Sequence, residues 1–584
     1  MQAPTPKAAD EDGSLGPASR LLLVSAAWAA LLAGSPGVLL PEGHPLGAIA
    51  FAAWWSAAAV RPGRRAWLVE WAVASLAFAT TMWWLSYISW AAVPPTGIGM
   101  GAYAMAAGVA ARRAARVLPA PLAAALAWVA FETLRDLMEP PVGMGWLRLG
   151  HLAAAKPYLA ESARWWGVAG VSWSLALTGA CLPWVFGGQR PGILRSGGAG
   201  TVPGRLHWGR TRAALVAAGS LGLSFVLGLL GAPRTEAGPT LALIQPNIAQ
   251  SNKTAGQSWA SIVQQQRDLT RAAQVDGPVD LVCWSETMLD VNVVADGVYA
   301  ALDAGADLDP WRELPVPTVD FLRGEQRYEE LRVLRDILGL GPRQGDLSAG
   351  TAFLAGAEEF RAVGDRIRRF NSAVLWSPEG QRSSYSKRHT VPVGETMYGL
   401  ERFAWARTMI GGYIADLAAA DDPRPLVFED RGGRTWRVGT PICFDNAYID
   451  TFRPDVDFHV VLSNEAWYRT SWELDQMLAF SRLAAIASGR AVARCTNSGV
   501  TYACDARGRE LARLVVDGVD REVPGYLRVA LPVPSDPAAV PLFARYSATI
   551  RWLFVALGIG AGLWGASAGS AGARRAVPGQ TGAR

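Results

Sequence analysis

The stretch "RVGTPICFDNAYID", residues 437–450, ends a strand-like run with Cys443 and then turns polar at once. Taken alone, Cys443 reads as a nucleophile, half of a disulfide or a small apolar core residue, and the last is the commonest fate of a free cysteine. The same pattern recurs upstream. "DLVCWSETM" places Glu286 just past an apolar run, and "SYSKRHTVPVGE" places Lys387 after alternating residues, with Glu395 soon behind it. A single Glu or Lys in such a position is ordinarily a solvated surface residue. Around them "LALIQ" (241–245), "SAVLWS" (372–377), "FHVVLSN" (458–464), "AVARCT" (491–496) and "YLRVAL" (526–531) read as strands. "SWELDQMLAFSRLAAIASGR" (471–490) reads as a helix, which makes residues 239–545 a mixed α/β domain. Residues 290–345 lack strand alternation and are expected to form long loops with a helix near 326–338.

Upstream the composition changes. Over the 584 residues 51% are hydrophobic and 18% charged, and the apolar excess is concentrated before residue 232. Eight stretches approach the ~20 residues a membrane helix needs: 19–40, 43–60, 66–91, 94–111, 118–138, 165–187, 212–232 and 549–568. The tail 1–18 contains "DED" and lacks a basic n-region, so the first stretch is expected to be retained rather than cleaved. This divides the chain into a polar tail 1–18, a membrane domain 19–232, a globular domain 239–545, a last span 549–568 and a tail 569–584.

Alternate loops are basic: "RPGRR" after the second stretch, "ARRAAR" after the fourth, the arginine-bearing 190–212 after the sixth, and Arg574 and Arg575 after the last. "PEGHP" and "AAVPPTG", between them, carry no Lys or Arg. Basic loops stay on the cytoplasmic side. The globular domain is therefore expected on the outer face, tethered at both ends. Tryptophans in "MWWLSYISW" and "ARWWG" suit the lipid–water boundary.

Several chemistries are disfavoured. The net charge of +5 is small, and its arginines lie in short loops, so no nucleic-acid partner is expected. Five cysteines without CxxC, and five histidines without HExxH, argue against a metal centre. A turn near Ser498 would place Cys495 opposite position 501 and not Cys504, so no disulfide is expected there.

Taken together, Glu286, Lys387 and Cys443, in that order and those contexts, resemble the triad of the nitrilase or carbon-nitrogen hydrolase superfamily. With eight apolar stretches, "LALIQPNIAQSNK", "KRHTVPVGE", "LSNEAWY", "RCTNSG" and "FETLRD…GMGWLRLGH", the chain resembles that superfamily's membrane-bound branch, the apolipoprotein N-acyltransferases. The resemblance implies a multi-span α-helical membrane domain with an extracytoplasmic α/β nitrilase-like domain, an α/β/β/α sandwich, in the bacterial cytoplasmic (inner) membrane. It implies an acyl chain moved from a phospholipid donor to Cys443 as a thioester, then to the α-amino group of a diacylglyceryl-modified lipoprotein. Glu286 would be the general base, Lys387 the stabiliser of thiolate and oxyanion, the Phe444 amide a second oxyanion donor, and Glu395 the group that holds Lys387. No metal or organic cofactor is called for.

The sequence also departs from that family. Phe444 and Asp445 replace a usual Tyr-Glu, Thr254 a frequent Trp, and Ala487 a common helix Glu, while the interval between Glu286 and Lys387 is enlarged. Three alternatives follow: a membrane-anchored amidase that delivers the thioester to water, a divergent acyltransferase with another amine, and a non-catalytic scaffold or transporter. The last fits poorly, because the ionisable Glu132, Arg135 and Asp136 lie at one end of a span rather than at its middle.

Overall fold

The computed structural model describes residues 15–186, 209–249, 259–308, 318–396, 399, 403, 405, 417–420 and 424–575, with no side chains described beyond 568. The arginine segment 190–205, Thr254, the tail before residue 15 and the side chains of Arg574 and Arg575 lie outside the described residues. The chain divides into two compact units. One holds α1 (Pro17–Gly34), α2 (Pro45–Ala59), α3 (Ala66–Thr81), α4 (Val93–Ala114), α5 (Ala120–Leu137), α6 (Ala163–Phe186), α7 (Arg210–Leu229) and most of the final helix, α12 (Leu542–Arg575). Among the described residues, four helices are long and apolar enough to cross a membrane: Pro17–Gly34, Ala160–Phe186, Arg210–Leu229 and Leu542–Ala568. Pro45–Ala59 and Ala66–Thr81 are apolar but shorter.

Small residues let these helices approach closely. Gly108 on α4 has no room for a Cβ because the Glu70 carboxylate of α3 fills the space. Glu70 accepts from Arg112 Nη1 at 2.5 Å and Nη2 at 2.9 Å, and from Arg20 Nη1 at 3.0 Å. Arg20 spends its other donors on the Ala58, Arg61 and Pro62 carbonyls. Arg112, which the sequence counts with a basic loop, thus turns inward as a brace between α1, α3 and α4. Near the end of α5, Asp136 pairs with Arg148 at 2.7 Å and with Arg551 of α12 at 2.9 Å.

The second unit holds residues 84–92 and 231–545, and its strands build two sheets. In the eight-stranded sheet the order is β14 (Gly525–Pro534), β1 (Thr235–Gln245), β2 (Leu281–Trp284), β5 (Ala352–Val363), β6 (Arg366–Trp376) and β4 (Asp307–Leu308). The short β3 (Val293–Val294) pairs with β5, and β7 (Arg382–Ser386) with β6. The six-stranded sheet runs β13 (Glu510–Arg513), β12 (Tyr502–Cys504), β11 (Ala491–Thr496), β10 (Phe458–Ser463), β9 (Thr435–Gly439) and β8 (Leu426–Glu429).

Alternation along each strand assigns the layers. Leu241, Leu243, Leu281 and Leu354 of one sheet pack against Val438, Val460, Leu462 and Ala493 of the other, forming the middle core. The opposite residues of the first sheet, Ala242, Ile244, Val282 and Trp284, pack on α8 (Trp259–Ala272) through Val263 and on a π-helical segment through Val333 and Ile337. Val461, Val492 and Tyr502 cover the other face of the second sheet and pack on α11 (Glu473–Ser488) through Leu474 and Leu478. Helix, sheet, sheet, helix is the resulting order.

In the segment 290–345, α9 (Val298–Asp303) follows β3, and α10 (Val319–Glu329) continues into the π-helical Glu330–Ile337. This helix starts well before the expected residue 326, because the Thr318 hydroxyl accepts from the Phe321 amide at 3.2 Å and caps it. All five cysteines are free, and the β11–β12 register pairs Arg494 with Tyr502 and Val492 with Cys504.

Candidate active site

Glu286 follows β2 after one residue, Ser285, in a turn that lies so close to β5 that a Cβ on Gly356 would meet the Glu286 Cα at 2.5 Å. Its Oε1 accepts from Asn371 Nδ2 at 2.7 Å and Lys387 Nζ at 3.3 Å, and its Oε2 from the Asn464 amide at 2.9 Å. Lys387 follows β7 and is 1% exposed. Its ammonium also donates to Glu395 Oε1 at 2.8 Å, while Glu395 Oε2 accepts from the Val391 amide at 2.8 Å. Asn371 reaches Glu395 as well, at 3.3 Å, so one amide and one ammonium tie the two carboxylates together. Burial opposes the Lys387 charge, yet Glu395, Glu286 and the Cys443 sulfur outweigh it and hold its pKa well above the ordinary lysine value.

Cys443 does not end a strand, as the sequence suggests. β9 stops at Gly439, Pro441 has no amide for a ladder, Ile442 makes a lone bridge to Leu462, and Cys443 opens a 3₁₀ turn, Cys443–Ala447. Its φ is 47°, in the left-handed region that residues with a Cβ rarely occupy and that clusters at functional sites. The thiol is buried. Burial and the Glu286 charge push its pKa well above the usual value, while Lys387 pulls the other way. It therefore rests as thiol.

Asp445 joins this turn to the lysine loop. Its carboxylate accepts from the Tyr385 hydroxyl at 2.9 Å, the His389 amide at 2.8 Å and the Ile442 amide at 3.2 Å. The segments on either side of Lys387 are thereby held to the residues on either side of Cys443. Burial raises the Asp445 pKa, and His389 and these amides oppose the rise. The Phe444 ring packs edge-on to Tyr448, with centroids 5.3 Å apart.

The structure thus joins Glu286, Lys387 and Glu395 by hydrogen bonds, sets Cys443 in their field and gives Asp445 a linking place. Asn371, Asn464 and Tyr385 escape the sequence reading. Asn464 belongs to "LSNEAWY", where its amide serves Glu286 and its Oδ1 accepts from Asn497 of "RCTNSG" at 2.9 Å. The motifs were visible, but their pairing depends on the parallel register of β10 with β11. Asn371 sits in an ordinary strand and carries no signal of its own. Among the described residues no cluster of His, Cys, Asp and Glu could hold a metal ion.

The family model described as carbon-nitrogen hydrolase matches residues 348–517, the part of the chain that carries the thiol, the ammonium and Glu395. A second model, the apolipoprotein N-acyltransferase N-terminal domain, matches residues 22–181, and over most of its length the chain resembles the apolipoprotein N-acyltransferases. The protein of that name from Azotobacter vinelandii is 28% identical over 68% of this chain and 66% of its own. Its counterpart from Bordetella bronchiseptica is 26% identical over 74% and 69%, and the one from Chlorobaculum tepidum 26% identical over 47% and 48%. The chain therefore spans about half to two-thirds of the length of these curated relatives. Among solved structures, a CN-hydrolase superfamily protein from Xanthomonas campestris aligns over 54% of this chain and 97% of its own, at 18% identity and a TM-score of 0.29.

Proposed function

We propose that this chain is an N-acyltransferase that moves a fatty acyl group from a membrane phospholipid to Cys443 and from there to the α-amino group of a diacylglyceryl-cysteine. The observation that carries the reading is Lys387, almost fully buried, shared by Glu286 and Glu395 beside a strained cysteine. In the first half-reaction Glu286 takes the thiol proton as sulfur attacks the ester carbonyl, and Lys387 with the Phe444 amide stabilises the oxyanion. The C–O bond breaks, and the lysophospholipid leaves with that proton. In the second, the amine attacks, the C–N bond forms and the C–S bond breaks, and Glu286 takes a proton from the amine and passes it to the departing sulfur. Splitting the transfer at a thioester replaces one difficult step with two easier ones.

The relatives' names support lipoprotein N-acylation, and the apolar helices support a membrane setting where both lipid substrates arrive laterally. On this reading the domain of residues 239–545 stands on the outer face of a bacterial inner membrane, held by seven spans within 19–232 and an eighth at 549–568. The alternating basic loops support that orientation. Asp445 and Glu395 act as positioning residues.

The test is to incubate the purified protein with phospholipid vesicles and search for an acyl thioester on Cys443 by mass spectrometry. Wild type is expected to carry the adduct with stoichiometric lysophospholipid, and Cys443→Ala to produce neither. Absence of both from wild type overturns the reading. An adduct that water discharges as fast as an amine favours the amidase.

A further inference from the structure

One buried carboxyl near the site has no part in that cycle. Glu473 opens α11, is 0% exposed, and neither of its oxygens has a hydrogen-bond partner among the described residues. It shares a helix face with Met477 and Ser481, one and two turns on. That face meets the cysteine turn: Asn446 donates to the Met477 carbonyl at 2.8 Å and accepts from Ser481 Oγ at 2.7 Å. From β11, Arg494 donates to Ser481 at 3.2 Å and forms a short ion pair with Glu465. The groups whose charge reaches Glu473 are Glu465, Arg494, its helix neighbour Asp475, Tyr468 and Cys443. Around Cys443, five carboxyl groups (Glu286, Glu395, Asp445, Glu465 and Glu473) face two cations, Lys387 and Arg494. The centre is short of positive charge, and a cationic substrate group would supply it.

The protons of the second half-reaction give this surplus a use. An α-amine with a pKa of about 7.7–8.0 arrives largely as –NH₃⁺ and ends as an amide –NH–. It sheds two protons while the C–N bond forms and the C–S bond breaks. One passes through Glu286 to the departing sulfur. The other needs a different acceptor, and Lys387 already carries its full complement. We propose that Glu473 is the acceptor-side base, seating the incoming ammonium and taking the proton that Glu286 cannot recycle. This rests on the acyltransfer reading above. Burial, with Glu465 beside it, favours the protonated form of Glu473 in the resting site, and Arg494 opposes that. As an ammonium docks, its charge restores the carboxylate and the Glu473 proton is released to bulk water, so the base appears with the substrate that needs it and ends the cycle protonated, as it began. Water brings no such charge and sheds one proton only, which Glu286 recycles alone.

The experiment uses the full chain in phosphatidylethanolamine vesicles. The acyl-enzyme is formed first. A diacylglyceryl-cysteinyl peptide is then added, and thioester decay is followed from below to above the amine pKa. Glu473→Gln is expected to slow amine transfer by about 10²-fold where the amine is protonated, with the gap closing as pH rises and the amine arrives neutral. Hydroxylamine, already uncharged at neutral pH, should discharge variant and wild type alike. Glu473→Asp, which retains a carboxyl with shorter reach, should keep the pH profile at a lower rate, and serves alone if the Gln variant does not fold. An unaltered profile in Glu473→Gln, or equal slowing by peptide and hydroxylamine at every pH, overturns the proposal, as does a profile lost in the Asp variant. Failure of wild type to form any thioester overturns the acyltransfer reading itself, and this inference falls with it.

Discussion

The helical unit and the two-sheet unit each bury a three-membered charge cluster, and the two are opposites. In the first, one carboxylate, Glu70, is shared by two cations, Arg20 and Arg112. In the second, one cation, Lys387, is shared by two carboxylates, Glu286 and Glu395. Glu70 is held in a closed brace whose arginines also donate to carbonyls at the α2–α3 turn. Lys387 stands beside a cysteine with a strained backbone, and that cysteine also feels two further carboxyls: Glu465, paired with Arg494, and Glu473, whose oxygens have no hydrogen-bond partner among the described residues. Both clusters are ionic and largely buried. On the proposed acyl transfer, only the second holds charge that a reaction can use, because its members would be matched to charges that appear and vanish in the two half-reactions.

Substitutions separate the two. The largest effect is expected at Lys387. Lys387→Met should lower acyl-enzyme formation by about 10²–10³-fold, measured as lysophospholipid release, while Asn371 and the Asn464 and Val391 amides still partner the two carboxylates. Because Lys387 opposes the rise in the Cys443 pKa, the same variant should move iodoacetamide alkylation of Cys443 to still higher pH than in wild type, where it already lies above the ~8.5 of a free thiol. Alkylation at an unmoved pH would break the contrast between a working cation and a bracing one.

Glu70→Ala comes next and should show the reverse profile. Removing the anion leaves two buried guanidinium groups facing each other, at a cost of about 3–5 kcal/mol, read as a lower melting temperature in detergent. The surviving folded fraction should keep a wild-type ratio of acylation to amine transfer. A changed ratio would mean that the brace takes part in the chemistry.

A smaller effect is expected at His459 on β10, a buried group with no carboxylate bonded to it. Burial, and then Arg490, lowers its pKa to about 3 from an ordinary 6.5. Between those values the unfolded chain binds the extra proton, so stability falls as pH drops from 6.5 toward 3. The loss is about 2 kcal/mol by pH 5. In His459→Gln the drop in melting temperature between pH 7 and pH 5 should shrink by that amount, whatever the substitution costs at both pH values. An unchanged drop would show that His459 is already protonated in the fold.

Much of the catalytic cluster is legible in the residues alone. Glu286 and Lys387 each follow an apolar or alternating run that does form a strand, and such runs declare themselves locally. Cys443 was legible as a residue but not as a conformation, since its left-handed φ follows from how Pro441, the Leu462 bridge and the Asp445 carboxylate close the turn. Asp445 looked like a shortened replacement. In the fold it links the cysteine turn to the lysine loop through Tyr385 and His389, partners that no spacing rule connects to it. Arg112 shows the same limit from the other side, because a charge count on a loop cannot see the carboxylate one helix away.

What the sequence determined by itself is the division into an apolar helical part and an alternating α/β part, and the kinds of group at two strand exits and one turn. Those depend on periodicity and composition, which act over a few neighbouring residues. What only the tertiary structure decided is which buried charges are closed and which are open. A charge is satisfied or left wanting by groups far along the chain, and sheet register and helix packing alone bring those groups within hydrogen-bond reach.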